Sequence, residues 1–151
     1  MKPIDILLVE DNEGDIVLAL DAFEESRIKN KIGVIRDGRA AIHFFETIYS
    51  KIQIPDLVIL DINLPKISGH QVLAYLKGNE VFKSIPVIML TTSSSEKDIA
   101  LSYQNYVNCY ITKPVDVADF IRAVGKIEDF WINLVNRPPK YNMFNHKNQL
   151  L

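Results

Sequence analysis

One cysteine in 151 residues, Cys109, leaves no partner for an internal disulfide and fits a reducing compartment. Basic residues are not in excess either. Seventeen Lys and Arg stand against nineteen Asp and Glu, a formal charge of −2, so no electrostatic footprint argues for DNA or RNA. No apolar run approaches the roughly 18 residues that cross a bilayer. Met1-Lys2-Pro3-Ile4-Asp5 turns acidic too soon for a signal peptide. His43, His70 and His146 lie too far apart for metal-ligand spacing and read as surface or core fillers. With 48% hydrophobic residues the chain can still bury a core. These observations together describe a soluble, cytoplasmic, single-domain protein that binds neither nucleic acid nor membrane.

What is present is alternation. Strand-like runs fall at 4–9, 31–36, 56–60, 86–90 and 107–112. Three are nearly continuous Val, Ile, Leu and Met, as expected of parallel strands covered on both faces. Amphipathic stretches separate them. Ile16, Leu20 and Phe23 recur at helical spacing, as do Ala41, Phe44, Phe45 and Ile48. Val72, Leu73 and Leu76 mark a third helix, and Ile99, Ala100 and Tyr103 a fourth. The last helix starts near Asp116. Asp37-Gly38 closes the second strand, Ser68 or Gly69 opens the third helix, and Ser95 with Glu96 opens the fourth. Five βα units make a doubly wound α/β fold over residues 1–136. Residues 137–151, with Pro138-Pro139, Tyr141, Met143 and Phe144, form a tail too short for a separate output domain.

The chemistry sits at the strand ends, where ligands bind in open α/β sheets. Ile6-Leu7-Leu8-Val9 ends in Glu10 and Asp11, and Leu57-Val58-Ile59-Leu60 ends in Asp61. Thr91 and Lys113 follow two further runs. Any one of these is commonly a solvated loop acid or a surface lysine; it is the set that argues for a site. Three close carboxylates repel in a partly dry site, and an oxygen-bound divalent cation, Mg²⁺ or Mn²⁺, relieves the repulsion. An aspartyl carboxylate can attack phosphorus and form an acyl phosphate. That transfer needs positioning and charge neutralisation above all, and the cation, the Lys113 ammonium and the Thr91 hydroxyl supply them.

In this ordered set the chain resembles the receiver domain of two-component response regulators, the CheY-like family. The motifs are Glu10-Asp11, Asp61-Ile62-Asn63-Leu64-Pro65 with Gly69, Thr91, and Lys113-Pro114, and the likeness covers about residues 4–131. It implies a flavodoxin-like sheet of five parallel strands in the order 2-1-3-4-5, with five helices. It implies Asp61 as phosphoacceptor, Asp11 as a direct Mg²⁺ ligand and Glu10 as an acid acting through water. By the same likeness Asn63 lends its backbone carbonyl to the metal, and Thr91 and Lys113 hold the phosphoryl oxygens. Tyr110 falls at the aromatic switch position; read alone it is a half-buried strand tyrosine. Such a domain is not an enzyme toward other molecules. It takes a phosphoryl group from a sensor histidine kinase and catalyses only its own phosphorylation and dephosphorylation.

Within the family the chain is most similar to the small regulators of phytochrome-type kinases. Leu90-Thr91-Thr92-Ser93, Val107-Asn108-Cys109-Tyr110-Ile111-Thr112-Lys113 and Ile127-Glu128-Asp129-Phe130-Trp131 carry that narrower likeness. Thr92 departs from the wider family's pattern, in which the residue after the threonine is often small. On the last helix Val117, Ile121 and Val124 form a core stripe, and Phe120, Ile127, Phe130, Trp131 and Leu134 widen the apolar surface beyond it. Exposed aromatic surface marks an interface. The resemblance makes it a homodimer through helix four, strand five and helix five; the plainer reading packs the helix end under the tail.

Two other functions fit less well. A phosphatase of the haloacid dehalogenase class needs a second Asp two residues after the nucleophile as general acid, and Asn63 there cannot carry the proton. A flavodoxin-like binding module needs a phosphate loop after strand one. Residues 10–15 are acidic, and the Thr91-Thr92-Ser93-Ser94-Ser95 run follows strand four instead.

Overall fold

Ten regular elements alternate in the computed structural model, which describes residues 4–25, 30–48 and 54–139. They are β1 (Asp5–Val9), α1 (Glu13–Glu24), β2 (Lys31–Ile35), α2 (Gly38–Glu46), β3 (Leu57–Leu60), α3 (Gly69–Lys77), β4 (Val87–Thr91), α4 (Glu96–Gln104), β5 (Cys109–Thr112) and α5 (Val117–Glu128). A π-helical turn, Asp129–Leu134, continues α5. Residues 140–151, hence most of the expected tail with Tyr141, Met143, Phe144 and His146, lie outside the described residues, as do Met1-Lys2-Pro3.

All strands are parallel, in the order β2-β1-β3-β4-β5. The three continuous apolar runs become the three inner strands, because only inner strands are covered on both faces and flanked on both edges. Alternation along each strand sorts the core into two layers. Leu7, Val9, Val58, Leu60, Val87 and Met89 face α2 and α3, meeting Ala41, Phe45, Val72, Leu73 and Leu76. Ile6, Leu8, Leu57, Ile59, Ile88 and Leu90 face α1 and α5, meeting Ile16, Ala19, Phe23, Phe120, Val124 and Ile127.

The helices start where short polar side chains can cap them. Asn12, Asp37, Ser68, Ser95 and Asp116 each accept a hydrogen bond from a backbone N–H of the following turn, and Ser68 forms a reciprocal capping box with Gln71. None of the described helices is long and apolar enough to cross a membrane.

The structure corrects two expectations about helix faces. Phe120 and Ile127 are core residues, 3% and 2% exposed, and cannot contribute to an interface. Val117, expected in the core, is 54% exposed instead. The buried stripe runs 120, 124, 127; it keeps Val124 of the expected one, with Ile121 partly buried beside it. Of the residues assigned to an interface, Phe130 is half-exposed and stacks edge-on against the partly buried Trp131, with centroids 5.4 Å apart. The α4 stripe also fails: Ala100 and Tyr103 face solvent, and Ser102 is the buried residue of that helix.

Candidate functional site

Parallel strands bring their carboxyl ends to one edge. Backbone bonds carry the ladder one residue further: Glu10 N–H donates to Ile35 O (3.0 Å), Asp61 N–H to Val9 O (3.0 Å) and Lys113 N–H to Thr91 O (2.6 Å). Glu10, Asp61, Thr91 and Lys113 are therefore fixed at the sheet's rim by the sheet itself. All four are buried. Asp11, one residue further out, is exposed.

Lys113 Nζ is the hub. It donates to Glu10 Oε2 at 2.6 Å, to Asp15 Oδ2 at 2.9 Å and to Asp61 Oδ2 at 3.2 Å. Single carboxylate oxygens of Glu10, Asp11 and Asp61 all lie within 4.8 Å of one another. That donor set, hard oxygen only, fits a small divalent cation. The remaining oxygens are partly held as well. Glu10 Oε1 accepts from Asn12 N–H (3.1 Å), and Asp61 Oδ1 from Asn63 N–H at a long 3.4 Å.

Burial dominates the Glu10 carboxyl and raises it to about 7; Lys113 pulls the other way, and Asp61's charge adds to the rise. Burial works against the Lys113 ammonium too. There the hydrogen bonds to Glu10 and Asp15 and the charges of Asp61 and Glu10 win, so Lys113 titrates above the ordinary lysine value. The edge carries four acids and one cation, an excess of negative charge that a divalent ion would relieve.

Gly69 closes the site from below. A β-carbon on it would lie 2.0 Å from the Asp61 carbonyl oxygen, so only glycine lets the start of α3 press on the Asp61 backbone. Its N–H donates to Ile62 O (2.8 Å), which completes the turn after β3.

The β4–α4 loop ties the site to a surface. Thr91 Oγ1 accepts from Ser93 N–H (3.4 Å), and Ser93 O accepts from the Tyr110 hydroxyl (2.8 Å). Ser93 Oγ donates to Asp98 Oδ2 (2.6 Å), and Asp98 Oδ1 meets His70 Nε2 (3.0 Å). The Ser93 hydroxyl, then His70, hold Asp98 below the usual carboxylate range. His70 Nδ1 is buried with no hydrogen-bond partner. A polar chain thus runs from Thr91 and Tyr110, through α4, to the first turn of α3.

Every strand-end residue read from the sequence is at this edge. Two residues were missed. Asp15 is a direct partner of Lys113; it sits four residues before buried Ala19, at the top of the core-facing stripe of α1, and Asn12 as N-cap would have fixed that phase. His70, read as a filler, is instead a bridge between α3 and α4, a pairing that no local pattern encodes.

The response regulator receiver domain family matches residues 6–125. The response regulator Rcp1 of Synechocystis sp. is 42% identical over 135 residues, 88% of this chain and 92% of that protein. Its solved Mn²⁺-bound form superposes with a TM-score of 0.84 at 41% identity, over 91% of this chain and all of the other. The phosphorylated cyanobacterial phytochrome response regulator RcpA has a TM-score of 0.86 at 38% identity, again over 91% of this chain and all of that one. A probable methanogenesis regulatory protein, FilR2 of Methanothrix harundinacea, is 40% identical over 91% of this chain and 88% of its own length.

Proposed function

The chain belongs to the response regulator receiver domain family, and we propose that Asp61 is its phosphoacceptor, loaded from the phosphohistidine of a sensor histidine kinase. The observation that carries this reading is Asp61 at the end of β3, 3.2 Å from a buried lysine and clustered with Glu10 and Asp11. An Asp61 carboxylate oxygen attacks phosphorus, the P–N bond breaks, and the imidazole leaves with its electron pair. Asp11, Asp61, the Asn63 carbonyl and, through water, Glu10 would hold Mg²⁺, which would neutralise charge on the transferring group. Mn²⁺ suits the same oxygens, and the Mn²⁺-bound Rcp1 supports that substitution. Lys113 and Thr91 hold phosphoryl oxygens. Turnover is confined to the protein's own acyl phosphate.

Incubation with acetyl phosphate and Mg²⁺, followed by intact mass and peptide mapping, tests the reading. One phosphoryl adduct on Asp61 is expected, and none without the metal. No adduct, or an adduct on another side chain, overturns it.

Output follows from the loop. When Thr91 Oγ1 turns to a phosphoryl oxygen it releases Ser93 N–H, and the Ser93–Tyr110 bond is strained in turn. The population then shifts between arrangements of the α4, β5 and α5 face. On that side Tyr103, Tyr106, Phe130 and Leu134 are exposed, and two copies of the chain meet there. Phe130→Ala with Trp131→Ala is expected to give a monomer in sedimentation; an unchanged mass removes this face as the dimer contact. The receiver unit acts through protein contact in the cytoplasm.

The kinase is of phytochrome type, a reading that RcpA supports by likeness. FilR2 supports a second one, a kinase serving metabolic control. Red and far-red dependence of phosphoryl transfer to Asp61 in extract separates the two.

Metal and proton compete at Glu10. Its carboxyl is raised from 4.5 to about 7 in the fold, so the folded protein holds a proton that the unfolded chain has released. That contribution to stability is complete below about 4.5 and lost as pH rises through about 7. Metal-free protein is therefore expected to lose stability across this window, and saturating Mg²⁺ to flatten the loss. Below about 7, Mg²⁺ affinity is expected to weaken by up to about tenfold per pH unit. Calorimetric titration at pH 6 and 8 in two buffers of different ionisation heat measures both the affinity and the proton released. Equal affinities with no proton release would take Glu10 out of the metal site.

A further inference from the structure

Lys113 has three N–H bonds and three carboxylate partners, and the proposed transfer chemistry uses only two of those partners. Asp61 receives the phosphoryl group. Glu10 stands in the group of acids with metal-binding spacing, together with Asp11 and Asp61. Asp15 stands outside that group, yet its Oδ2 is 2.9 Å from Lys113 Nζ, closer than Asp61 at 3.2 Å. The Asp15 side chain is about a quarter exposed (27%), whereas Lys113 is 4% exposed. So Asp15 is the wall of the site on the α1 side, and among the described residues its side chain's one hydrogen-bonding partner is the ammonium.

Consider the three bonds through the transfer. Once Asp61 becomes an acyl phosphate its carboxylate charge is gone and a dianionic phosphoryl group stands in its place. The longest of the three bonds, that to Asp61, is the one that must turn to a phosphoryl oxygen. Glu10 would be drawn toward the metal at the same time. A lysine ammonium is a flexible point charge on four methylenes and points nowhere unless its other bonds fix it. Asp15 is the partner with no other duty. It is carried by the first turns of α1, whose N-cap is locked by the Asp15 N–H to Asn12 Oδ1 bond at 2.9 Å.

We propose that Asp15 is a positioning residue for phosphoryl transfer. It holds the Lys113 ammonium so that one N–H bond stays aimed at the group on Asp61, in the resting and the phosphorylated protein alike. The inference rests on Asp61 as phosphoacceptor and deepens it by one residue.

The test is the rate constant for label uptake on Asp61 from acetyl phosphate, at saturating Mg²⁺ so that altered metal affinity does not enter. Asp15→Asn keeps an oxygen acceptor and removes the charge. Loss of one charge-assisted bond is expected to slow labelling about tenfold. Asp15→Glu keeps the carboxylate and is expected to restore the rate to within about threefold of the unaltered protein. In a Lys113→Met background Asp15→Asn is expected to add nothing, a coupling that a general structural role would not produce. Asp15→Asn labelling at the unaltered rate overturns the inference while leaving the phosphoacceptor reading intact. So does a further tenfold loss in the Lys113→Met background. If Asp15→Asn does not fold, Asp15→Ser in the same two backgrounds decides by the same criterion. Absence of label on Asp61 in the unaltered protein overturns the phosphoacceptor reading, and this inference with it.

Discussion

Asp61→Asn is expected to take up no label from acetyl phosphate or from any kinase, under any concentration of Mg²⁺. The substitution is nearly isosteric, so Gly69 still fits against the backbone at 61 and the β3 ladder is untouched. What changes is the proposed nucleophile: an amide oxygen has no formal charge and no stable acyl phosphate to form. The resting protein is expected to be as stable as the original or slightly more so, because one of the acids around Lys113 is neutralised while Glu10 and Asp15 still hold the ammonium. Mg²⁺ binding is expected to weaken, since one of the three clustered carboxylates is gone. Intact mass after incubation with donor measures the first effect, and thermal denaturation with calorimetry measures the others. A phosphoryl adduct of unchanged stoichiometry in Asp61→Asn would move the acceptor elsewhere in the chain. Folding with lost label, by contrast, assigns the loss to chemistry at this side chain.

Much of this was legible in the residue order, for definable reasons. A doubly wound sheet covers its inner strands on both faces, so β1, β3 and β4 had to be continuous apolar runs, and they are. Four of the five strand ends are punctuated by a residue with chemistry, and parallel topology alone then gathers those residues at one edge. Helix faces were harder. On α5 nearly every third or fourth residue is apolar, so two stripes compete, and packing against α1 selects the one with Phe120, Val124 and Ile127. Phe120 and Ile127, expected outside, fill the core instead. On α4 the apolar residues are too few to fix a phase, and Ser102, bonded to Asp98 O at 2.8 Å, is the residue that turns inward. Contacts between distant side chains leave little local trace: the Asn12 cap fixes which face of α1 carries Asp15, but nothing nearby names its partner. His70 and Asp98 are 28 residues apart, and Asp15 and Lys113 are 98 apart.

The fold is not equally firm throughout. The site edge is rigid because ladder bonds fix it. The α4 helix buries one small polar side chain and little apolar surface, and it is held largely by the polar bonds of Asp98 to Ser93 and His70. Elements with few buried apolar contacts occupy the low-stability end of a structure. A change at Thr91 would therefore act on a segment that costs little to move. The proposed output face is the one next to it, which is a physical reason for output there independent of any relative.

Lys113→Met carries the largest expected effect on stability, and its sign depends on metal. In metal-free buffer at pH 8 the methionine fills the lysine's volume but leaves Glu10 and Asp61, 4% and 8% exposed, with no cation. Removing one partner of a buried ion pair typically costs about 3–5 kcal/mol. The variant is expected to lose stability in that range, read as a lower urea midpoint at unchanged slope. Two conditions should return part of the loss. Mg²⁺ supplies positive charge among the same carboxylates. Low pH protonates them: Glu10 already titrates near 7 beside the lysine, and losing the lysine removes the interaction that opposed that rise. The gap between Lys113→Met and the unaltered protein is therefore expected to close as pH falls toward 5, and to narrow at pH 8 when Mg²⁺ is added. Such a pattern separates an electrostatic role from simple packing, which would give a gap indifferent to both. Equal urea midpoints for the two proteins in metal-free buffer at pH 8 would mean that the acids at this edge do not need the lysine, and the account of the site as a charge cluster waiting for a cation would fall with it.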